Sequence, residues 1–442
     1  MLLGKLKLPS SQSDNVWLHI ISLSTLLFAF SPFSPLPWGS AYRYLFHILL
    51  PLSVLYLLFH RKIFQDFFTK FKVTLSPFIP FLICYLIVLV IHHGSLGKPG
   101  VSFGNIALII VFNVIVFALI QATNTKISSK LFFIFCAIAS WLFFIDCLFI
   151  AYKNGISIWE VRPFVKPYAT IYGRCMALIG GLSILGAFYL SSERITIKAI
   201  LFISGLIGFF CALGILTVRS TIAFPLFAAV CALWLFFRQK NINKTKKRIV
   251  SLICLGIIFL FSTAVLLSSV GDRFQQGFKE TSNVLLNPSI SQVIEKTKNN
   301  QILDQEEEQT KRHLNNSMGG RFAVWQMGWN ETQESIWFGT GKGSPSEFVD
   351  TKKLFSYSKD YLPHFHSDYM QCFVVGGLVL LGGFIFTIIL LVLGSLHSPI
   401  KLFLTLSLLS CGIIDLGFLD LRAFTCYCGA WFIVGTWESQ KS

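Results

Sequence analysis

Long apolar runs dominate this sequence and set the first limit on its fold. Twelve runs of helix length follow one another along the chain: 16–30, 44–59, 77–92, 103–120, 131–152, 175–190, 195–216, 220–237, 248–268, 370–393, 400–418 and 423–437. A helix of about 20 apolar residues matches the hydrocarbon thickness of a bilayer. Only 13% of the residues are charged, against about 25% in soluble domains. The sequence therefore predicts an all-α polytopic membrane protein with about 12 transmembrane helices.

The distribution of lysine and arginine between alternate loops predicts the orientation in the membrane. Segments 60–72, 121–130 and 238–248 are basic, and the last carries six Lys and Arg residues. Short loops rich in these residues stay in the cytoplasm. We therefore predict cytoplasmic termini and three regions: transmembrane helices 1–9 over 1–268, an outer loop domain with the catalytic motifs over 269–369, and transmembrane helices 10–12 over 370–442.

The formal net charge of +16 could suggest a nucleic-acid partner. In a membrane protein, cytoplasmic loop charge and attraction to anionic lipid headgroups account for such a surplus. No compact basic module interleaved with aromatic residues stands out, so we expect membrane lipids and no nucleic acid as partners. Almost all of the eleven cysteines lie in apolar runs, which favours core side chains over a disulfide framework.

One predicted outer loop departs from the charge rule. It carries Arg162, Lys166 and Arg174, and Arg219 lies between two later apolar runs. Cations placed against the topological bias, or at membrane depth, are costly and often functional. A planar guanidinium also matches phosphate oxygens. These positions suit an anionic, lipid-linked substrate, with snorkelling to the headgroups as the open alternative.

The segment 319–344 combines aromatic residues, an arginine and a glycine turn. Arg321, Trp325 and Trp329 share one stripe if the segment is helical. Because Trp favours the membrane interface, we expect a helix lying on the outer leaflet. The sequence GTGKGS at 339–344 lacks the spacing and context of a nucleotide-binding phosphate loop. It predicts a tight turn whose backbone amides could approach an anion.

Two histidines, His364 and His366, stand just before the apolar run that begins near Tyr369. No carboxylate or cysteine partners stand at metal-ligand spacing, and Asp368 alone is insufficient. We therefore predict no metal site and no cofactor. Histidine has an ordinary pKa of about 6.5, which suits it to take a proton from a sugar hydroxyl.

These motifs, in this order, resemble the O-antigen ligase/polymerase superfamily. The residues that carry the resemblance are Thr217 to Ser220 (T-x-R-S), Gly320, Arg321 and Trp325 (GR-x3-W), Gly339, Gly341 and Gly343 (G-x-G-x-G), and His366, Ser367 and Gln371 followed by Gly377. The resemblance covers the large outer loop, one earlier helix end and the plan of twelve spans.

The resemblance implies a metal-independent, inverting glycosyltransferase of the membrane GT-C type. It would move O-antigen from undecaprenyl diphosphate to lipid A–core oligosaccharide, at the periplasmic face of a Gram-negative inner membrane. By position, Arg219 and Arg321 would bind the diphosphate and His366 would orient or deprotonate the acceptor. Further candidates for binding diphosphate or glycan are Arg162, Lys166, Arg174, Trp325, Gly341, Gly343 and His364.

Three other functions stay open. An O-antigen polymerase or a protein O-oligosaccharyltransferase would share the lipid-linked donor. A lipid-linked glycan flippase or other transporter is favoured only by Asp146, an acidic residue within an apolar run. The large outer loop favours the enzymes, because a transporter needs a substrate cavity at the membrane midplane.

Overall fold

The computed structural model describes most of the chain between residues 51 and 439. The described ranges are 51–94 (without 52, 54, 58–59 and 61–62), 103–123, 128–165, 169–190, 193–238, 290–299, 301–348 (without 306, 309–310 and 312–316) and 364–439. Twelve α-helices of at least nine residues lie in these ranges, and no β-strand occurs in them.

The helices are numbered in chain order. They are α1 Phe64–Leu75, α2 Ile79–Ile91, α3 Phe103–Ala122, α4 Ser129–Asn154, α5 Ala169–Tyr189, α6 Ile195–Phe209, α7 Phe224–Arg238, α8 Ile290–Lys298, α9 Ser317–Thr332, α10 Asp368–Ser395, α11 Pro399–Ile414 and α12 Leu421–Ser439. Shorter helical turns connect several of them.

The predicted all-helical, multi-pass membrane class is confirmed. Within the described ranges, six helical stretches are long and apolar enough to cross a membrane: 64–91, 103–122, 129–154, 169–189, 195–215 and 368–395. Shorter apolar helices cover the predicted spans 220–237 and 400–418 in part. The predicted spans 16–30 and 248–268, and most of 44–59, lie outside the described residues. The total of twelve spans stays a prediction.

The interpretation of 60–72 as a loop is wrong over most of its length. Residues from Phe64 onward form α1, which continues through a 3₁₀ turn at Ser76–Phe78 into α2. Phenylalanines at 64, 67, 68 and 71 repeat at helical spacing and contact one another. Pro77 does not interrupt the stretch, because it stands in the first turn of the new helical segment.

Helix α5 lies at the centre of the bundle. It is apolar almost all round and buried along most of its length, as expected for a helix surrounded by others. Glycines bring its backbone against that of α6: a Cβ added to Gly208 would lie 2.8 Å from Gly180 Cα, and one on Gly205 would lie 2.6 Å from Gly180 O. Small residues allow this close approach between membrane helices.

Two hydrogen bonds join helix ends on the side of the bundle that the sequence predicts to be cytoplasmic. At one end of the bundle, Lys130 Nζ donates to Glu193 Oε2 at 3.0 Å, and Arg238 Nη1 donates to His397 O at 3.1 Å. Lys130 and Arg238 belong to the basic segments 121–130 and 238–248, which the sequence assigns to the cytoplasmic side. The ends assigned to the outer side meet at the opposite end, where the candidate site lies.

Candidate active site

Helix α6 ends in a distorted segment that leads to Arg219. The chain widens into a π-helix at Phe210–Ile215, and Thr217 then adopts φ = 49°. A left-handed conformation is rare for a β-branched residue, and π-helical turns recur at functional sites. Arg162 Nη1 donates to Thr217 Oγ1 at 2.5 Å. The segment that carries Arg162 therefore holds the strained turn that leads to Arg219.

A second interruption lies in α10. Gly377 has φ = 61° and ψ = −158°, so the helix opens there. The segment 336–341 fills the opening with its backbone: Ile336 O and Trp337 O accept from the N–H groups of Leu378 and Val379, at 2.8 and 3.1 Å. The glycine turn thus completes the interrupted helix and supplies partners to backbone groups that an opened membrane helix would otherwise leave unpaired.

The other edge of the opening is closed in the same way. Thr340 N donates to Val374 O at 2.8 Å, and Gly341 N donates to Val375 O at 3.0 Å. Further along the turn, Gly343 N donates to Glu347 Oε1 at 3.2 Å. The amides of Gly341 and Gly343 therefore bind protein groups here.

Glycine is required on both sides of this joint. A Cβ on Gly377 would lie 2.4 Å from Trp337 C and 2.5 Å from Ile336 O, and one on Gly339 would lie 2.5 Å from Gly377 N. The backbone conformation of Gly377 is also one that side-chain-bearing residues hardly adopt. These contacts give a physical reason for the glycines at 339 and 377.

The histidine corner, 364–367, is fixed by side chains from two helices. Trp325 of α9 donates its Nε1–H to Phe365 O at 2.6 Å. Gln371 of α10 accepts from Phe365 N at 3.0 Å and donates to Gly343 O at 2.7 Å. Ser367 Oγ donates to Gly412 O at 3.2 Å. The corner is thereby tied to α9, α11 and the glycine turn.

Within this corner, His366 is strained and His364 supports it. His366 adopts φ = 51°, and its backbone N–H donates to Nδ1 of His364 at 3.2 Å. Burial, followed by the neighbouring charge of His366, lowers the pKa of His364 to about 3. His364 therefore stays neutral near pH 7 and serves as a hydrogen-bond acceptor.

Asp415, which follows α11, is the centre on which the site converges. Arg174 Nη2 lies 2.8 Å from its Oδ2, and Arg321 Nη2 lies 3.9 Å from the same oxygen. His366 Nδ1 lies 3.7 Å from Oδ1. One buried carboxylate thus gathers two arginines and the histidine from α5, α9 and the corner before α10.

The residues around Asp415 differ in exposure. Arg174 is 4% exposed and also pairs with Asp420 at 2.6 Å through Nη1. The side chains of Arg321 and His366 are 18% and 29% exposed. His366 Nδ1 is buried and has no hydrogen-bond partner among the described residues, so the exposed part of the ring is elsewhere. Arg321 and His366 can meet a ligand, whereas Arg174 is enclosed.

A second buried carboxylate fixes the loop that carries Asp415 and Asp420. Asp368, the first residue of α10, accepts backbone N–H bonds from Gly417, Phe418 and Leu419 at 2.8 to 3.2 Å. A Cβ on Gly412 would lie 2.4 Å from its Oδ2, so α11 also packs closely here.

The structure thus brings together several of the predicted site residues. Arg321, His366 and Arg174 share Asp415. The turn Arg219–Thr221 packs on α11, where Cys411 Sγ donates to Ser220 O at 3.2 Å. The side chain of Arg219, and the whole of Lys166, lie outside the described residues.

The three carboxylates Asp368, Asp415 and Asp420 are absent from the set of residues selected by sequence. Asp415 lies inside the apolar run 400–418 and Asp420 directly follows it, and an acidic residue at membrane depth is a functional signal by itself. The same criterion that singles out Asp146 would have found the other two. In the described part of the chain, no group of three or more His, Cys, Asp or Glu side chains is arranged to hold a metal.

The helices and this polar site define a multi-pass membrane protein with a cation-and-carboxylate centre at one end of its bundle. Residues 179–385 match the family model described as O-antigen ligase. The match supports the resemblance seen in the motifs, and the matched family consists of glycosyl-transferring membrane enzymes that use lipid-linked glycans. No curated protein gave a significant match to the chain.

Proposed function

We propose that the protein is the ligase that moves O-antigen from undecaprenyl diphosphate to lipid A–core oligosaccharide. The observation that supports this most is the convergence of Arg321, His366 and Arg174 on Asp415. It combines cations for a diphosphate with a candidate base for a sugar hydroxyl. The site lies at the helix ends that the charge pattern assigns to the periplasm.

The leaving group is held by arginines. Arg321 is part-exposed and is directed at Asp415 from 3.9 Å, so it can turn a guanidinium edge to phosphate oxygens. We assign Arg219 the same role because its turn packs against α11. Cations fixed where charge develops stabilise the transition state, each by about 3 kcal/mol in favourable cases. We propose that these charges serve without a metal ion.

Arg174 has a supporting role in this proposal. Its two terminal nitrogens are engaged by Asp415 and Asp420, and it is almost fully buried. Direct contact with the donor would require these ion pairs to break, which is costly for a buried charge. We therefore assign Arg174 to holding Asp415 in place.

His366 acts as the general base. The acceptor hydroxyl oxygen forms a bond to the anomeric carbon of the first glycan residue, and the bond from that carbon to the diphosphate oxygen breaks. The hydroxyl proton passes to His366, and the electron pair leaves with undecaprenyl diphosphate. Attack opposite the leaving group inverts the anomeric centre. Asp415, 3.7 Å from Nδ1, stabilises the imidazolium once the gap closes on substrate binding.

The direct test uses purified protein in lipid nanodiscs with a lipid-linked O-antigen donor and a lipid A–core acceptor. His366→Ala and Arg321→Ala should each abolish transfer while the protein still inserts and elutes as a single species. Full ligation by either variant would refute the site assignment.

A genetic test separates the ligase from its relatives. Deleting the gene in a strain that makes O-antigen should leave bare lipid A–core and a long lipid-linked polymer. Core carrying a single repeat would instead identify a polymerase. Absence of any periplasmic polymer would identify a flippase.

A further inference from the structure

The interruption of α10 has a defined height in the membrane. The helix has 28 residues and is about 42 Å long, which exceeds a hydrocarbon layer of about 30 Å. About twenty residues counted back from its end at Ser395 reach Gly376. With Ser395 taken as the opposite boundary of the hydrocarbon, the opening at Gly377 falls at the boundary with the headgroups on the side where α10 begins.

Exposed aromatic side chains surround α10 at this same level. Trp337 is 62% exposed, and its carbonyl is bonded to Val379. Trp329 is 51% exposed and stacks on Phe373, with ring centroids 5.2 Å apart. Phe338 is exposed next to Trp337. Two tryptophans thus flank the opening from outside the helix.

The surface below the opening is apolar. On α10, Leu378, Ile385, Phe386, Ile389 and Leu393 are all exposed large hydrophobic residues. Such a run on a helix of this length fits contact with acyl chains. The aromatic side chains stand at its upper edge, where Trp is enriched because its ring is apolar and its N–H is polar.

We propose that Trp337, Trp329 and Phe338 form an interfacial patch that rests on the headgroup–acyl boundary of the phospholipid leaflet. The glycine turn then serves two purposes. It supplies hydrogen-bond partners to the backbone of α10 at the opening, and it places Trp337 at this boundary. Asp368 and the corner with His366 stand about 14 Å above the hydrocarbon, nine helical residues beyond Gly377. The headgroup layer is about 5 to 8 Å thick on each side, so this corner lies beyond its outer edge.

This assignment does not depend on which glycan is transferred. The patch could instead contact a second copy of the chain or water, and the experiment separates these cases from contact with lipid. The test uses fluorescence quenching in phosphatidylcholine vesicles whose acyl chains carry bromine, either near the headgroup end or near the chain terminus. The signal of the wild type minus that of Trp337→Phe isolates Trp337.

Trp337 should be quenched more strongly by bromine near the headgroup end than by bromine near the chain terminus, and weakly by aqueous acrylamide. Stronger quenching by the deep bromine, strong quenching by acrylamide, or no quenching by either bromine would each overturn the proposal. Trp431→Phe is the matched control, because Trp431 is 9% exposed and donates to Ser395 Oγ inside the bundle. Its difference signal should not respond to bromine.

Discussion

The molecule contains two interrupted helices near its candidate site, and they are stabilised in different ways. In α10, the opening at Gly377 is filled by the backbone of segment 336–341. At the end of α6, the strained turn at Thr217 has backbone hydrogen bonds on either side, and the side chain of Thr217 is bound by that of Arg162. The backbone contacts at Gly377 leave no room for a Cβ. The hydrogen bond between Arg162 and Thr217 can instead be weakened gradually by substituting either side chain. The first should govern folding and the second activity.

Gly377→Ala should have the largest effect. It combines a disallowed backbone conformation with a Cβ 2.4 Å from Trp337 C, so we expect a loss of about 3 kcal/mol or more and little folded protein. Thermal unfolding and size exclusion in detergent measure it. Gly382→Ala is the control in the same helix, because its Cβ would meet nothing within 4 Å. Equal stability of the two variants would contradict the conclusion that the opening at Gly377 depends on close backbone packing.

Asp415→Asn should have the next largest effect, on transfer rather than on insertion. It leaves Arg321 and His366 without the carboxylate that gathers them, so we expect transfer to fall roughly 100-fold. Asp420→Asn removes the other carboxylate of Arg174 and should cost less. The test compares the turnover rates of the two variants at equal concentrations of folded protein. A larger loss of transfer activity in Asp420→Asn than in Asp415→Asn would mean that Asp415 is not the centre of the site.

Arg162→Gln tests the side-chain joint. Losing the hydrogen bond to Thr217 should lower transfer by about tenfold with normal insertion. Thr217→Ser keeps the hydroxyl and should stay close to wild type, whereas Thr217→Val should match Arg162→Gln. The double variant Arg162→Gln/Thr217→Val should be no worse than either single change. Additive losses would mean that Arg162 acts on the donor directly, as its position in the sequence suggested.

His364→Asn should have the smallest effect, visible only as a pH dependence. Below about pH 6.5 the unfolded chain takes up a proton at His364 that the folded protein does not bind until about pH 3. The stability of the wild type should therefore fall as pH drops through this window. Asparagine keeps an acceptor for His366 N and removes this titration, so the fall in Tm between about pH 6.5 and 5 should be shallower. Identical slopes would contradict the neutral state of His364.

Sequence reasoning reached the fold class because membrane helices are local in origin: each apolar run predicts its own helix. It failed at 64–72, where charged residues between phenylalanines concealed a helical repeat. It also selected Arg321 and His366, which the structure places on one carboxylate. It did not select that carboxylate, and it could not predict the pairing of Asp415 with Arg174, which spans 241 positions and depends on how α5 and α11 pack. Local patterns do not encode such a contact.

The hydrogen bonds of Asp368 have a consequence for how the proposed lipid-linked donor would be recognised. Backbone amides at 417–419 form a ready anion receptor, and the chain's own carboxylate already occupies it. The amides of the glycine turn are engaged as well. In the proposed ligase, the guanidinium groups of Arg219 and Arg321 are then left to bind the donor, largely by electrostatic attraction. If the protein is the proposed ligase, it should prefer a diphosphate to a monophosphate carrier, and this preference should weaken as ionic strength rises.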